Sequence, residues 1–457
     1  MNRVVKRTWL MSLFILVLVG GLCFFLFDYV MNAPQWIGSP GSSYMHNDAI
    51  GFGTVTDRAG VTLLDVGSSK DYSYDRTTRI STLHWLGDRQ GNVVSRPIAT
   101  YAADMSGYDV VDGVYDFSGT GGAMELTLSV RVQNAAFNAM AGRKGTVAVY
   151  DYRTGQILCA VTTPSFDPDE PIDLSVVDPQ EYEGVYLNRF VQSTYVPGSI
   201  FKVVTTAAAL DCIPDIEERR FTCTGIVEYG EEKVSCERAH GTQDLRLALA
   251  NSCNCAFAQV AELIGKDRMT EYVERFGITQ SLSFDGITTS RGYFDVSDAA
   301  PVSFAWSCIG QYTDLIDPCR FMTFMGAIAG DGSCAQPYIV SQVTGGGKTT
   351  YSAETRQMEQ ILSPEVAAKL RDYMRGNVEL VYGAGNFPGM TVCAKSGTSQ
   401  LGGGQTSNAM FAGFVADEEY PLAFIVVVEN GGYGASTCVP VLSRVLEACK
   451  TVIDSER

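Results

Sequence analysis

The stretch Val196-Pro197-Gly198-Ser199-Ile200-Phe201-Lys202 decides how this chain is read. Its core, Ser199-Ile200-Phe201-Lys202, sets a hydroxyl three residues ahead of an amine, directly after a Pro-Gly break. A helix is predicted from Ser199 to Leu210, with Phe201, Val204 and Ala208 as its apolar stripe. Residues three apart share one helical face, so the Ser199 hydroxyl and the Lys202 amine point to the same place. Ser199 would lie in the first turn, where backbone N–H groups without helical partners can help hold an oxyanion. Alone, the pattern has a plainer reading: a Ser N-cap followed by a solvated Lys.

Two further motifs, in fixed order, argue against the plainer reading. Ser252-Cys253-Asn254 falls between the apolar runs 245–250 and 256–264, on a predicted helix-to-helix loop that can face a second hydroxyl and an amide toward the first site. Lys395-Ser396-Gly397-Thr398 continues the strand-like alternation of 391–394 along a sheet edge. Gly397 there lets a ligand backbone approach closely. A cationic Lys395 suits a substrate carboxylate and disfavours a second proton on Lys202.

A serine hydroxyl is a poor nucleophile at neutral pH and needs a base, usually His. The chain has only three histidines, His46, His84 and His240, and none stands beside a candidate nucleophile. A lysine replaces His when desolvation or a nearby cation keeps its amine neutral, and Lys202 has the right position.

At 457 residues the chain is long enough for one large domain and a smaller one, and 46% hydrophobic residues suffice for a sizeable core. A net charge of −17 argues against nucleic-acid binding. No charged residue occurs from Trp9 to Phe27, and Arg3, Lys6 and Arg7 precede the run. About twenty apolar residues span a bilayer, with the basic flank on the cytoplasmic side. A cleavable signal peptide shares the basic start, but the bulky Phe27-Asp28-Tyr29 offers no small-x-small site. The expectation is a single-pass cell-membrane protein: a cytoplasmic tail over 1–8, an uncleaved anchor over 9–28, and the rest extracytoplasmic.

Thirteen cysteines are unusual in an exported chain. No paired Cys-x-x-Cys suggests a zinc site, and no metal is expected. Cys223 and Cys236 flank a hairpin-like stretch, 225–233, and could close a local disulfide. Cys159, Cys308, Cys393 and Cys449 sit inside apolar patterns and should pack as small hydrophobes.

Coarsely, residues 29–140 form a membrane-proximal region rich in Gly, Ser, Thr and Asp with short strand-like pieces. Residues 141–457 form the main domain. A hairpin is predicted over 145–150 and 157–161, turning at Thr154-Gly155. Helices dominate 199–329, strands return at 409–415 and 422–428, and 439–452 closes as an amphipathic helix. The implied class is α+β: a sheet built from both ends of the domain, flanked by helices, with a helical insertion. Gly345-Gly346-Gly347-Lys348-Thr349 is no phosphate loop, because Gln342 stands where the first Gly is required; it reads as a surface turn.

The ordered trio of motifs recurs in penicillin-binding proteins and class A β-lactamases. The whole chain beyond the anchor resembles a class B penicillin-binding protein, a peptidoglycan D,D-transpeptidase, and is most similar to the short penicillin-binding protein A group. The resemblance rests on 196–202, His240-Gly241-Thr242, Leu249-Ala250-Asn251-Ser252-Cys253-Asn254, Ile309-Gly310-Gln311, Thr82-Leu83-His84-Trp85-Leu86-Gly87-Asp88 and Gly53-Thr54-Val55-Thr56-Asp57-Arg58-Ala59-Gly60. Gly51 replaces an expected Arg, Asp167-Pro168-Asp169 departs from Asp-Pro-Asn, and Tyr312 replaces a frequent Gly.

The resemblance implies the penicillin-binding, serine β-lactamase-like fold after a β-rich membrane-proximal domain. It implies Ser199 as acylated nucleophile, Lys202 as general base, and Ser252 as proton relay to departing D-alanine. Asn254 would hold the acyl donor's amide. Lys395, Ser396, Gly397 and Thr398 would hold its carboxylate and backbone, with the N–H groups of Ser199 and Thr398 as oxyanion hole. Expected partners are peptidoglycan stem peptides, β-lactams as covalent inhibitors, and a multi-pass glycosyltransferase of the shape, elongation, division and sporulation family. No cofactor is implied. A D,D-carboxypeptidase, a hydrolase and a β-lactam sensor are the alternatives; a class A β-lactamase would need a deacylating Glu, and no such loop follows Ser252-Cys253-Asn254.

Overall fold

A computed structural model describes residues 2–37, 53–66, 70–105, 121–387, 389–400 and 406–457. Gly51 lies outside them.

The centre is a five-stranded antiparallel sheet in the order Val392–Ser399, Asn408–Val415, Leu422–Val428, Gly145–Asp151, Ile157–Thr163. The predicted hairpin at Thr154-Gly155 supplies two strands, and the last third of the chain supplies three. Alternate residues along each strand face opposite sides, and both sides are covered. Val147, Val149, Phe411, Phe424 and Val426 pack with Leu442 and Val445 of the closing helix Gly434–Glu456. Ala148, Tyr150, Met410, Ala412 and Ile425 join the larger core that includes the buried helix Pro318–Ala329. Because neither face meets water, these strands read as nearly unbroken apolar runs. Cys159, Cys308, Cys393 and Cys449 are buried within this packing.

A second sheet of six strands runs in the order Lys348–Ser352, Val340–Gly345, Gly122–Leu126, Gly53–Thr56, Thr62–Val66, Lys70–Tyr72. It draws on both sides of the boundary expected near residue 140. Val340–Gly345 pairs antiparallel with Gly122–Leu126, which lies parallel to Gly53–Thr56. Helix Val130–Met140, on the membrane-proximal side of that boundary, packs instead against the five-stranded sheet and the closing helix. Gly346 and Gly347, at φ +57° and +75°, form the turn of the hairpin 340–352, as expected for a surface turn.

Asp167, the first residue of the altered Asp-Pro-Asn, is a tie between the two regions. Its carboxylate, with 1% of the side chain exposed, accepts from Arg79 Nε at 2.8 Å and Nη2 at 2.7 Å. Asp169 receives Arg89 at 2.7 Å and Arg79 at 3.2 Å.

Asn2–Ile37 is one helix, and its Arg3–Asn32 segment is long and apolar enough to cross a membrane, with none of its most apolar window buried.

Candidate active site

The Ser199 stretch departs slightly from expectation. Gly198–Phe201 is a 3-10 turn, and the α-helix begins at Lys202 and runs to Cys212. In a 3-10 turn residues i and i+3 eclipse, which sets the Ser199 hydroxyl directly over the Lys202 stem. Lys202 Nζ lies 2.8 Å from Ser199 Oγ. The turn is wedged against the edge strand Val392–Ser399: Gly198 has φ +56°, and a Cβ there would sit 2.7 Å from the Thr398 carbonyl oxygen.

Helix Leu245–Ala250 ends just before Ser252, whose φ of +51° bends the chain before the helix Asn254–Ile264 begins. That bend turns both oxygens of Ser252 to the lysine. Lys202 Nζ is 2.8 Å from the Ser252 carbonyl, 3.2 Å from Ser252 Oγ and 2.7 Å from Asn254 Oδ1. Asn254 is itself oriented by donating its Nδ2 to the Ser235 carbonyl at 2.8 Å.

The edge strand completes the site. Lys395 Nζ donates to Ser252 Oγ at 3.1 Å and to the Ser396 carbonyl at 2.8 Å. Thr398 Oγ1 accepts from the Gly434 amide at 3.1 Å. A Cβ on Gly397 would lie 2.8 Å from the Pro197 carbonyl, so the strand runs close beneath the nucleophile turn. All eight residues singled out from the sequence therefore belong to one site, and Ser252 Oγ lies between the two lysine amines.

Both amines are fully buried. Burial, reinforced by the like charge of Lys395, pushes Lys202 well below its ordinary value, and burial brings Lys395 down to about 7. The surroundings of Lys202 suit the neutral form. The Ser252 carbonyl and Asn254 Oδ1 only accept hydrogen bonds, so they take the two N–H groups of an amine. Its lone pair is then left for the Ser199 hydroxyl proton.

Three supporting residues lack a local signature in the sequence. Tyr382, on the turn Val378–Tyr382, has its hydroxyl 2.9 Å from Ser396 Oγ and accepts from the Ser396 amide at 2.9 Å. Asn377 donates to the Ala394 carbonyl at 3.0 Å. The Phe257 ring lies under Lys202, 5.6 Å from Nζ. The expected disulfide, in contrast, is not formed. Cys223 and Cys236 are free thiols: Cys223 Sγ is 3.5 Å from His240 Nδ1, and Cys236 Sγ is 3.7 Å from Cys253 Sγ. The pairing of Phe221–Cys223 with Gly241–Gln243 sets Cys223 beside His240.

The family model described as penicillin binding protein transpeptidase domain matches residues 145–447. The chain belongs to this family. The peptidoglycan D,D-transpeptidase PbpA of Mycolicibacterium smegmatis is 30% identical over 342 residues, 68% of each chain. Among solved structures, a D,D-transpeptidase domain from Eggerthella lenta superposes with a TM-score of 0.74 at 26% identity, covering 88% of this chain and 98% of that one. Penicillin-binding protein A of M. tuberculosis, solved as a penicillin G acyl-enzyme, superposes with a TM-score of 0.75 at 24% identity, covering 87% and 99%. This penicillin-binding protein thus has the α+β transpeptidase fold expected from its motifs.

Proposed function

We propose that the chain is a peptidoglycan D,D-transpeptidase in which Ser199 Oγ attacks the carbonyl of the penultimate D-alanine of a stem peptide. Lys202 takes the hydroxyl proton as the ester bond forms. The bond to the terminal D-alanine breaks, and the proton passes by way of Ser252 to the departing amine. An acceptor amine on a second strand then attacks the ester, forming the cross-link and restoring Ser199. Asn254 holds the donor amide, while Lys395, Ser396, Gly397 and Thr398 hold the carboxylate and backbone. The N–H groups of Ser199 and Thr398 hold the oxyanion, each worth on the order of a hundredfold in rate. β-Lactams would stop at the ester.

The donor and acceptor arrangement around Lys202 Nζ carries this reading, because it leaves the amine's lone pair facing the Ser199 hydroxyl. Among the described residues no carboxylate hydrogen-bonds to Ser199 or Lys202, which disfavours a β-lactamase that activates water through Glu. Incubation with labelled penicillin followed by peptide mapping should place the adduct on Ser199, and Ser199→Ala should not label. Assays of cross-linked product against D-alanine released without cross-linking then separate transpeptidase from carboxypeptidase.

The reading extends to the membrane. Trp9 to Phe27 would anchor the protein once, with everything beyond it outside the cytoplasm, and the membrane-proximal and transpeptidase regions would meet near residue 140. A solved peptidoglycan synthase complex that coordinates polymerization and crosslinking superposes on this chain with a TM-score of 0.61 at 23% identity. Likewise, a multi-pass glycosyltransferase would supply the strands this protein joins.

A further inference from the structure

The loop that carries Ser252 and Asn254 is flanked by a group of ligand atoms that the reaction above does not use. Cys223 Sγ, Cys236 Sγ, Cys253 Sγ and one ring nitrogen of His240 all lie within 4.8 Å of one another. Three separate elements bring them together. The strand pair Phe221–Cys223 and Gly241–Gln243 sets Cys223 against His240. The hairpin Ile226–Tyr229 and Glu232–Ser235 leads into Cys236, whose amide donates to the Gly225 carbonyl at 2.9 Å. Cys253 is the N-cap of helix Asn254–Ile264.

Two of the six separations have the length of a tetrahedral thiolate site, and all six are within 4.8 Å. With Zn–S of about 2.3 Å and Zn–N of about 2.0–2.1 Å, a tetrahedron has edges of roughly 3.8 Å between sulfurs and roughly 3.6 Å between sulfur and nitrogen. Cys236 Sγ to Cys253 Sγ is 3.7 Å, and Cys223 Sγ to His240 Nδ1 is 3.5 Å. Two amides also point at sulfur: Cys255 N–H to Cys236 Sγ at 3.3 Å and Ala256 N–H to Cys253 Sγ at 3.4 Å. Such outer donors stabilise thiolates and orient metal ligands. Three thiolates and an imidazole select zinc over the hard cations, which prefer oxygen. The site escaped sequence reading because its ligands are single residues spread over 31 positions rather than Cys-x-x-Cys pairs.

We propose that Cys223, Cys236, His240 and Cys253 bind one zinc ion, which fixes the Ser252-Cys253-Asn254 loop against the hairpin and so positions Ser252 and Asn254 on Lys202. The link is short. Cys253 lies between the two active-site residues, and the hairpin residue next to Cys236, Ser235, accepts from Asn254. The four ligands act through this loop and do not touch the reacting atoms. The positioning role rests on the proposed acylation chemistry; the metal site does not.

The test uses the full-length protein purified in detergent without added metal. Elemental analysis should find one zinc per chain. Cys223→Ser, Cys236→Ser and His240→Ala should each lose it, while Cys212→Ser, a cysteine outside the group, should keep it. Cobalt exchanged into the wild type should show the visible d–d bands and near-ultraviolet charge transfer of tetrahedral thiolate ligation, a readout independent of whether any variant folds. Removing zinc with a strong chelator should slow acylation by labelled penicillin, and adding zinc back should restore the rate. Wild-type protein without metal that also fails to take up cobalt would overturn the site, as would a disulfide mapped between any two of the three cysteines in freshly isolated protein. Acylation at an unchanged rate after complete zinc removal would overturn the positioning role.

Discussion

The two buried lysines have opposite requirements. In the proposed reaction Lys202 must be neutral to accept a proton, and Lys395 must be charged to hold a carboxylate. Burial and the Lys395 charge both oppose a proton on Lys202, and burial brings Lys395 down to about 7. The second-order rate of acylation reports the free enzyme. It should therefore rise as Lys202 deprotonates and fall as pH passes through about 7 and Lys395 loses its charge. Lys395→Gln should remove the alkaline limb and shift the acid limb to higher pH, since loss of a neighbouring cation lets Lys202 keep its proton longer. Stopped-flow acylation across pH measures both limbs; an acid limb that does not move would mean the two amines are uncoupled. Lys202→Arg, which cannot deprotonate in a protein, should abolish acylation with the melting curve intact. Acylation by that variant at the wild-type rate would place the base elsewhere. Ser199 and Lys202 were legible in the sequence because their relation is local and set by helical periodicity. Tyr382 and the cysteine group were not, because tertiary folding alone brings Tyr382 to Ser396 and Cys236 to Cys253.

At the level of elements, the site is the meeting of one turn, one loop and one edge strand, and glycines let the first and last come close. Gly397→Ala would press a methyl to 2.8 Å from the Pro197 carbonyl and 3.2 Å from the Ile200 amide nitrogen. Overpacking of this kind costs about 1–3 kcal/mol; acylation should drop more than stability, because the displaced parts are the nucleophile turn and the substrate strand. Calorimetry alongside penicillin labelling separates the two effects. Tyr312 is the opposite case. It takes φ +70° on a half-exposed turn, a backbone conformation that favours Gly. A left-handed L-residue costs roughly 1–2 kcal/mol, so Tyr312→Gly should leave the protein as stable or raise its melting temperature by a few degrees; a clear fall would show that the ring contributes packing. The hairpin at Thr154-Gly155, the edge strand through Lys395 and the closing helix were all readable from period and turn residues. The 3-10 geometry at Ser199 was not, since a single 3-10 turn and the first turn of an α-helix share one apolar pattern.

Across the whole molecule, the residues before and after position 140 are tied by charge and by backbone. Arg79→Ala would leave the Asp167 carboxylate, buried at 1% exposure, only the exposed Arg76 at 3.5 Å, and should cost up to about 3 kcal/mol in thermal or denaturant unfolding. A loss below a few tenths would show that water or Arg76 takes over. If the apolar N-terminal helix anchors the protein beside a polymerase, confinement in one bilayer raises their effective concentration. Full-length protein should then recover that polymerase in pull-downs far better than a fragment starting near residue 30, and equal recovery would argue against a role for the helix. Composition suggested a boundary near residue 140; the six-stranded sheet that crosses it was not legible, because strand partners distant in sequence leave no local mark.

That shared sheet imposes a timetable. Glu125 and Ser341, hydrogen-bonded across neighbouring strands, are 216 residues apart. A ribosome adding roughly 5–20 residues per second needs roughly 10–40 seconds to make the intervening chain. Until then the strand Gly122–Leu126 has an unpaired edge that another chain could occupy. The newborn protein must therefore be kept from its neighbours during that interval, and the membrane-proximal region, although synthesised first, is finished only after most of the catalytic region has been made.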